Sequence, residues 1–193
     1  NYRSILSPKN DYFVELDFNS AEIRTFLALQ GAEQPKEDIH AFTAENVFKG
    51  QLSRDETKKK FFAWFYNPEA KNKQLEKMFN KQEVLDKYWN GAYVNTFYGR
   101  CIEADRKHAL NYLIQSTTSD LFLRRMIDVW ERLESRRSYI AFSVHDSLVI
   151  DYHYEDRDIL REIISIFGTT ELGVFKVNMR VGENYGKMWT REI

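Results

Sequence analysis

Apolar positions along the chain recur with two periods, and the switches between them mark the elements. Residues 12–17 (YFVELD) form a short apolar run that reads as a buried strand. It leads directly into a helical pattern, with Asn19 as N-cap, Glu22 three residues on and Gly31 at the stop. A polar stretch follows, then a short helix over 38–48 and a longer one between Ser53 and Asn67. Residues 68–89 are highly charged and read as helical. From 105 to 133, Leu110, Leu113, Ile114, Leu121, Met126 and Val129 make the apolar stripe of a long helix. Residues 138–152 are two apolar runs around His145-Asp146-Ser147, the pattern of a β-hairpin with those three residues at its turn. An amphipathic helix over 155–167 and a strand over 175–181 follow. The predicted class is α+β, with few strands, acidic residues at their ends, and a mostly helical insertion between them.

The helix after Ser53 carries the strongest local signals. Ser53 and Glu56 have capping-box spacing, in which each side chain satisfies an orphan donor of the first turn. Pro68 disfavours helical backbone at Asn67 and stops the helix. Arg54, Lys58, Phe62 and Tyr66 recur at every fourth position. That spacing keeps them on one face, drifting by about 40° per step. Two cations followed by two rings suit a ligand with phosphate at one end and a planar base at the other, as in a nucleoside triphosphate. The ordinary alternative is a solvated basic face beside an aromatic core face.

Composition narrows the function classes only modestly. With 193 residues, 43% apolar and 15% aromatic, the chain can bury a real core. Its net charge of −1 argues against a general nucleic-acid coat protein. Positive charge is local, in Lys58, Lys59 and Lys60 and in the pairs Arg124-Arg125 and Arg136-Arg137. The single cysteine, Cys101, excludes an internal disulfide and fits a reducing compartment. No apolar run approaches the roughly 18 residues needed to span a membrane, so no membrane partner is expected.

Asp17 and Asp146 are the acids set at the edges of apolar strands, where burying a carboxylate is otherwise costly. Magnesium takes one or two carboxylates together with phosphate oxygens and water, so neighbouring strands would make this pair a site for two ions. Taken singly, each acid could simply cap a turn.

At these residues the chain resembles the DNA polymerase I family, that is, family A. DFNSAEIR (17–24) is similar to its first catalytic motif, and VHDSLV (144–149) to its last. The Arg54-Lys58-Phe62-Tyr66 stripe resembles its nucleotide-binding fingers helix. DIHAFTA (38–44), NYLIQSTTSD (111–120) and VGENYGKMW (181–189) also match, all in family order. The resemblance implies a polymerase palm, a small antiparallel sheet packed on helices, with a helical fingers insertion. The expected division is palm over 1–32, fingers over 33–104 and palm again over 105–193.

The resemblance also implies roles. Asp17 and Asp146, with the Phe18 carbonyl, would hold two magnesium ions. Arg54 and Lys58 would grip the triphosphate, with His40 beside it, and Lys58 could donate a proton to pyrophosphate. Phe62 would lie beside the sugar, and Tyr66 would close the pocket under the base. Glu22, working with Tyr66, would block a ribose 2′-hydroxyl. Asn111, Gln115 and Lys107 would contact primer–template DNA, and His145 would sit near the primer end. The implied partners are primer–template DNA and deoxynucleoside triphosphates. The implied setting is the cytoplasm of a bacterial or phage-infected cell, or an organelle. Thumb and exonuclease segments are expected elsewhere in a longer polymerase.

The chain departs from the family pattern at several positions. Ser147 stands where glutamate is usual in DNA-copying members, and His-Asp-Ser is the form of single-subunit RNA polymerases. Ala21 replaces a larger aliphatic residue, Asn67 a glycine and Lys107 an arginine, and the fingers are short. The rival readings are therefore a single-subunit RNA polymerase, favoured by Ser147 but opposed by Glu22 and Phe62, and a truncated duplex-binding module without activity.

Overall fold

The computed structural model describes residues 2–191. The first half of the chain runs through β1 (Tyr12–Phe18), α1 (Ala21–Gln30), α2 (Ile39–Asn46), α3 (Arg54–Phe65), α4 (Lys73–Glu76) and α5 (Lys81–Tyr88). A small hairpin, β2 (Tyr93–Asn95) and β3 (Cys101–Glu103), precedes the long α6 (Ala109–Leu133). Then come β4 (Tyr139–Val144), β5 (Ser147–Tyr152), α7 (Leu160–Gly168), β6 (Thr169–Thr170), β7 (Gly173–Val174), β8 (Val177–Asn184) and β9 (Lys187–Arg191). The class is α+β. These elements form two compact units, one made of the chain up to Asn19 with everything from Leu121 on, the other of Ser20–Asp120.

The first unit is built on an antiparallel sheet of order β4-β5-β1-β8-β9, so β1 lies at its centre. Alternation along β1 sends Val14, Leu16 and Phe18 to one face and Phe13, Glu15 and Asp17 to the other. The apolar face packs on helices: Phe18 stacks on Phe167 of α7 at 4.2 Å and meets Phe175 edge-on. On the opposite face, Phe13, Val149 and Tyr185 form a small core at the end away from Asp17.

The second unit is helical around an aromatic core. Phe26, Phe61, Trp64, Phe65 and Phe79 are all buried, and Phe61 lies edge-on to Phe79 at 4.9 Å. Lys81, at the start of α5, donates to the carbonyls of Trp64 (2.6 Å) and Asn67 (3.0 Å). It thereby satisfies the open C-terminal end of α3.

Several local expectations are corrected. The N-cap of α1 is Ser20 rather than Asn19: the Asn19 amide still donates to Lys176 O at 2.8 Å, prolonging the β1 pairing, so the helix begins one residue later. The charged stretch over 68–89 divides into α4 and α5, because Asn72 and Asn80 each cap a new helix start. The long helix begins at Ala109, not 105, since the Asp105 carboxylate ties the His108 amide in a turn before it. The helix expected over 155–167 starts at Leu160, after a 3₁₀ turn over Tyr154–Asp156. Ser147 is the first residue of β5 rather than part of the turn. Two small hairpins, β2-β3 and β6-β7, and the edge strand β9 had no sequence signal strong enough to read.

Candidate active site

In the first unit, Asp17 sits near the end of β1, directly opposite Ser147 of β5 and Asn178 of β8. Ser147 Oγ donates to Asp17 Oδ1 at 3.1 Å, and Asn178 Nδ2 approaches Oδ2 at 3.4 Å. Asp146 precedes Ser147 in the two-residue connection between β4 and β5, so the hairpin carries it to the end of β1 that holds Asp17. The Asp17 carboxyl is held above the usual carboxylate range, first by burial and then by the charge of Asp146, with only partial relief from Asn178 and Ser147. Two acids thus sit together with their repulsion only partly offset by neutral hydrogen-bond donors, an arrangement a cation would relieve. His145, the other turn residue, takes φ 56, a left-handed conformation that costs a non-glycine residue about 1 kcal/mol or more. Phe18 follows Asp17, with its ring turned into the opposite, helix-covered face.

The donors that could hold magnesium are Asp17, Asp146 and the Phe18 carbonyl. Among the described residues no group of three His, Cys, Asp or Glu side chains could hold a metal by itself. Magnesium fits such a sparse set, since it keeps waters and takes phosphate oxygens from a substrate.

In the second unit, α3 separates its faces as the spacing predicts. Thr57, Phe61, Trp64 and Phe65 are buried, while Arg54, Lys58 and Tyr66 are exposed and Phe62 is half-buried. The Ser53–Glu56 capping box is formed on both sides. Phe62 and Tyr66 stack, with ring centres 5.6 Å apart and planes 18° from parallel. Lys58 Nζ lies 5.9 Å from the centre of the Phe62 ring. Tyr66 Oη donates a hydrogen bond to Glu22 Oε2, which joins the end of α3 to the first turn of α1.

His40, in the first turn of α2, is buried and lies 5.4 Å from the Phe62 ring. Its Nε2 is 3.3 Å from Ser20 Oγ. Burial pushes its pKa down to about 4, the neighbouring Asp38 opposing and Arg54 and Lys58 adding to the fall, so the ring is neutral near pH 7. Arg54 does not stand alone: Nε and Nη2 bind the two oxygens of Asp38 at 3.0 and 2.8 Å. Lys107 is exposed ahead of α6, and Gln115 is exposed on it. Asn111 is half-buried, and its Oδ1 has no hydrogen-bond partner. Lys107 and Asn111 line a shallow cleft of about 20 Å³ with Phe65, Tyr66, Pro68 and Leu110.

Two site residues escaped sequence reasoning. Asn178 was visible only as a polar residue inside the apolar run FKVNMRV, and its register opposite Asp17 needed the sheet. Asp38 had the signature of an N-cap, accepting from the amides of His40 and Ala41, but nothing local pointed to Arg54.

With this geometry in view, the class is defined by comparison. Residues 70–191 match DNA polymerase family A, so the chain belongs to that family. It is 24% identical to DNA polymerase I of Caldicellulosiruptor bescii, over 84% of this chain and 25% of that protein. It is 24% identical to the DNA polymerase of Mycobacterium phage D29, over 76% of this chain and 30% of that one. Identity is 23% to the thermostable DNA polymerase I of Thermus aquaticus, over 95% of this chain and 28% of that one. The chain therefore spans between a quarter and a third of the length of these relatives. The POL domain of Pol1 from M. smegmatis, solved in complex with DNA primer-template and dNTP, has the same fold, with a TM-score of 0.74 at 18% identity over 95% of this chain and 42% of that one.

Proposed function

We propose that this chain is the palm and fingers part of a template-directed DNA polymerase that adds deoxynucleotides to a primer 3′ end. In this reading residues 1–32 and 105–193 act as palm, and 33–104 act as fingers. The observation that carries it is the Asp17–Asp146 pair of a family A chain, Asp17 on β1 and Asp146 in the turn leading into the adjacent β5, with the Asp17 carboxyl raised by burial and then by its neighbour's charge. Two bound magnesium ions would lower the pKa of an attacking hydroxyl and neutralise departing pyrophosphate. The residues of the chain bind and orient. Asp17 and Asp146 fix where the reacting phosphate is held, and Ser147 and Asn178 fix the Asp17 carboxylate. Arg54 and Lys58 neutralise the triphosphate, and the Lys58 ammonium can give a proton to the leaving pyrophosphate. Phe62 and Tyr66 present a stacked surface to sugar and base, with His40 packed behind Phe62. Glu22, held by the Tyr66 hydroxyl, excludes a ribose hydroxyl by steric clash and by the cost of desolvating its carboxylate. Lys107, Asn111, Gln115 and His145 contact primer–template. Catalysis of phosphoryl transfer is mostly positioning and charge stabilisation, which suits so small a set of side chains.

The chain's short span of its relatives supports placing thumb and exonuclease functions in further polymerase segments. Work in DNA replication or repair, in a bacterial or phage-infected cytoplasm, completes the proposal. A single-subunit RNA polymerase is the second reading, favoured by Ser147 at the catalytic aspartate. Magnesium-dependent primer extension, with deoxynucleotides and ribonucleotides in separate reactions, tests both. Extension with deoxynucleotides alone supports the first reading. Equal extension with ribonucleotides replaces it with the second, and duplex binding without extension leaves only a binding module.

A further inference from the structure

On the same face of the sheet as the half-buried Asp17 lies a fully buried carboxylate. Glu15 is two residues back along β1, so it points to the same side, about 7 Å away along the strand. It is only 2% exposed. Directly opposite on β8 is Arg180, whose Nη2 lies 2.5 Å from Glu15 Oε2, with the arginine side chain 44% exposed and the glutamate 2%. The contact is an ion pair without hydrogen-bond alignment.

For stability alone this is a poor design. Apolar residues of similar volume would serve the sheet at least as well as a buried ion pair, and Glu15 adds negative charge beside Asp17 and Asp146. Its effect is to anchor an arginine. A guanidinium carries five N–H donors in a planar fork. One contact with Glu15 leaves others for a ligand, and the half-exposed side chain gives solvent access to them. A fork pre-set by a carboxylate loses little freedom on binding and matches the oxygens of a phosphate.

We propose that Arg180, anchored by Glu15, is a phosphate-binding residue for the backbone of the primer strand next to Asp17. The inference rests on the polymerase reading, in which the primer end reacts at Asp17. Phosphates of one strand follow at roughly 3.4 Å of axial rise, so a cation beside Glu15, itself about 7 Å along β1 from Asp17, meets the backbone a few nucleotides from the reacting end. The triphosphate offers the same chemistry, but Arg54 and Lys58 already serve it.

The test is titration of the full chain with a fluorescent primer–template across NaCl concentrations, alongside deoxynucleotide affinity for the chain–DNA complex. Arg180→Ala should weaken primer–template binding about tenfold at low salt. It should also lower the slope of log Kd against log salt by about 0.9. Arg180→Lys should restore most of the slope, since the charge remains. Because removing Arg180 alone strands Glu15, the double variant Glu15→Gln/Arg180→Gln is measured as well, with its fold checked by circular dichroism. It should lose the same slope while staying folded. Nucleotide affinity should not change in any variant. Unchanged slope and affinity in Arg180→Ala and the double variant would overturn this inference while leaving the polymerase reading intact. A loss confined to nucleotide affinity would overturn it too, and would assign Arg180 to the triphosphate. If the unaltered chain binds no primer–template, both readings fall together.

Discussion

Arg54 grips both oxygens of Asp38, the residue that also caps the helix carrying His40. The first cation of the α3 stripe is therefore already engaged by a carboxylate, and under the proposed function a triphosphate would compete with Asp38 for it. Asp38→Asn should keep the cap, since asparagine is as good an N-cap as aspartate, while freeing the guanidinium. An exposed pair of this kind is worth about 0.2–1 kcal/mol, so nucleotide affinity should rise by up to about fivefold. Asp38→Ala should also lose about 1 kcal/mol of stability with the cap. Isothermal titration with a deoxynucleoside triphosphate, beside thermal melts, separates the two effects. Unchanged affinity in Asp38→Asn would mean that Arg54 does not meet the nucleotide.

Glu22 is held by the Tyr66 hydroxyl, so sugar selection should depend on both residues. Glu22→Ala should raise ribonucleotide incorporation relative to deoxynucleotide incorporation by about tenfold or more, the relief of one charged group's desolvation penalty. Tyr66→Phe should shift the ratio in the same direction by less. Single-nucleotide insertion kinetics give the ratio directly, and a fall in either variant would remove Glu22 from this role.

Asp17→Asn should have opposite effects on activity and stability. Loss of charge stabilisation worth several kcal/mol should slow nucleotide addition at least ~10³-fold. The folded-state pKa of Asp17 is raised, so its charged form is disfavoured by the fold at neutral pH, and the amide removes that penalty. The melting temperature should hold or rise by about 2 °C. Asp146→Asn should also abolish addition. A clear fall in melting temperature for Asp17→Asn would show that its carboxylate is structural.

His40 makes stability depend on pH on the acid side. Its folded pKa of about 4 lies below the ordinary histidine value of 6.5. The unfolded chain therefore binds the extra proton between those values, and stability contributed at neutral pH is lost as pH falls through that window. Urea midpoints should drop between pH 6.5 and 4, and His40→Gln should flatten that part of the profile. An identical profile in the variant would place the acid sensitivity elsewhere.

What could be read from the sequence was what is encoded within a few turns of chain. The face of α3 was legible because capping and four-residue spacing are local, and the structure buries Phe61 and Trp64 while leaving Lys58 and Tyr66 exposed. Asp17 and Asp146 stood out because each ends or turns an apolar run. What stayed hidden depends on register between distant segments. Asn178 meets Asp17, and Arg180 meets Glu15, only after β8 pairs with β1 across most of the chain. The strands β2 and β3 have three residues each, too few for alternation to be recognised.

The connection between β4 and β5 has no slack. His145 and Asp146 span it, and Val144 pairs with Ser147 immediately beyond. One inserted residue would either bulge the turn, carrying Asp146 off the end of β1, or slip β5 by one position. A slip would send the buried Leu148 and Ile150 to the opposite face. A side-chain exchange here leaves the register intact, whereas a change of length does not. Segments that gain or lose residues between relatives should lie elsewhere, in loops such as 67–72 or 153–159, while this hairpin keeps its count.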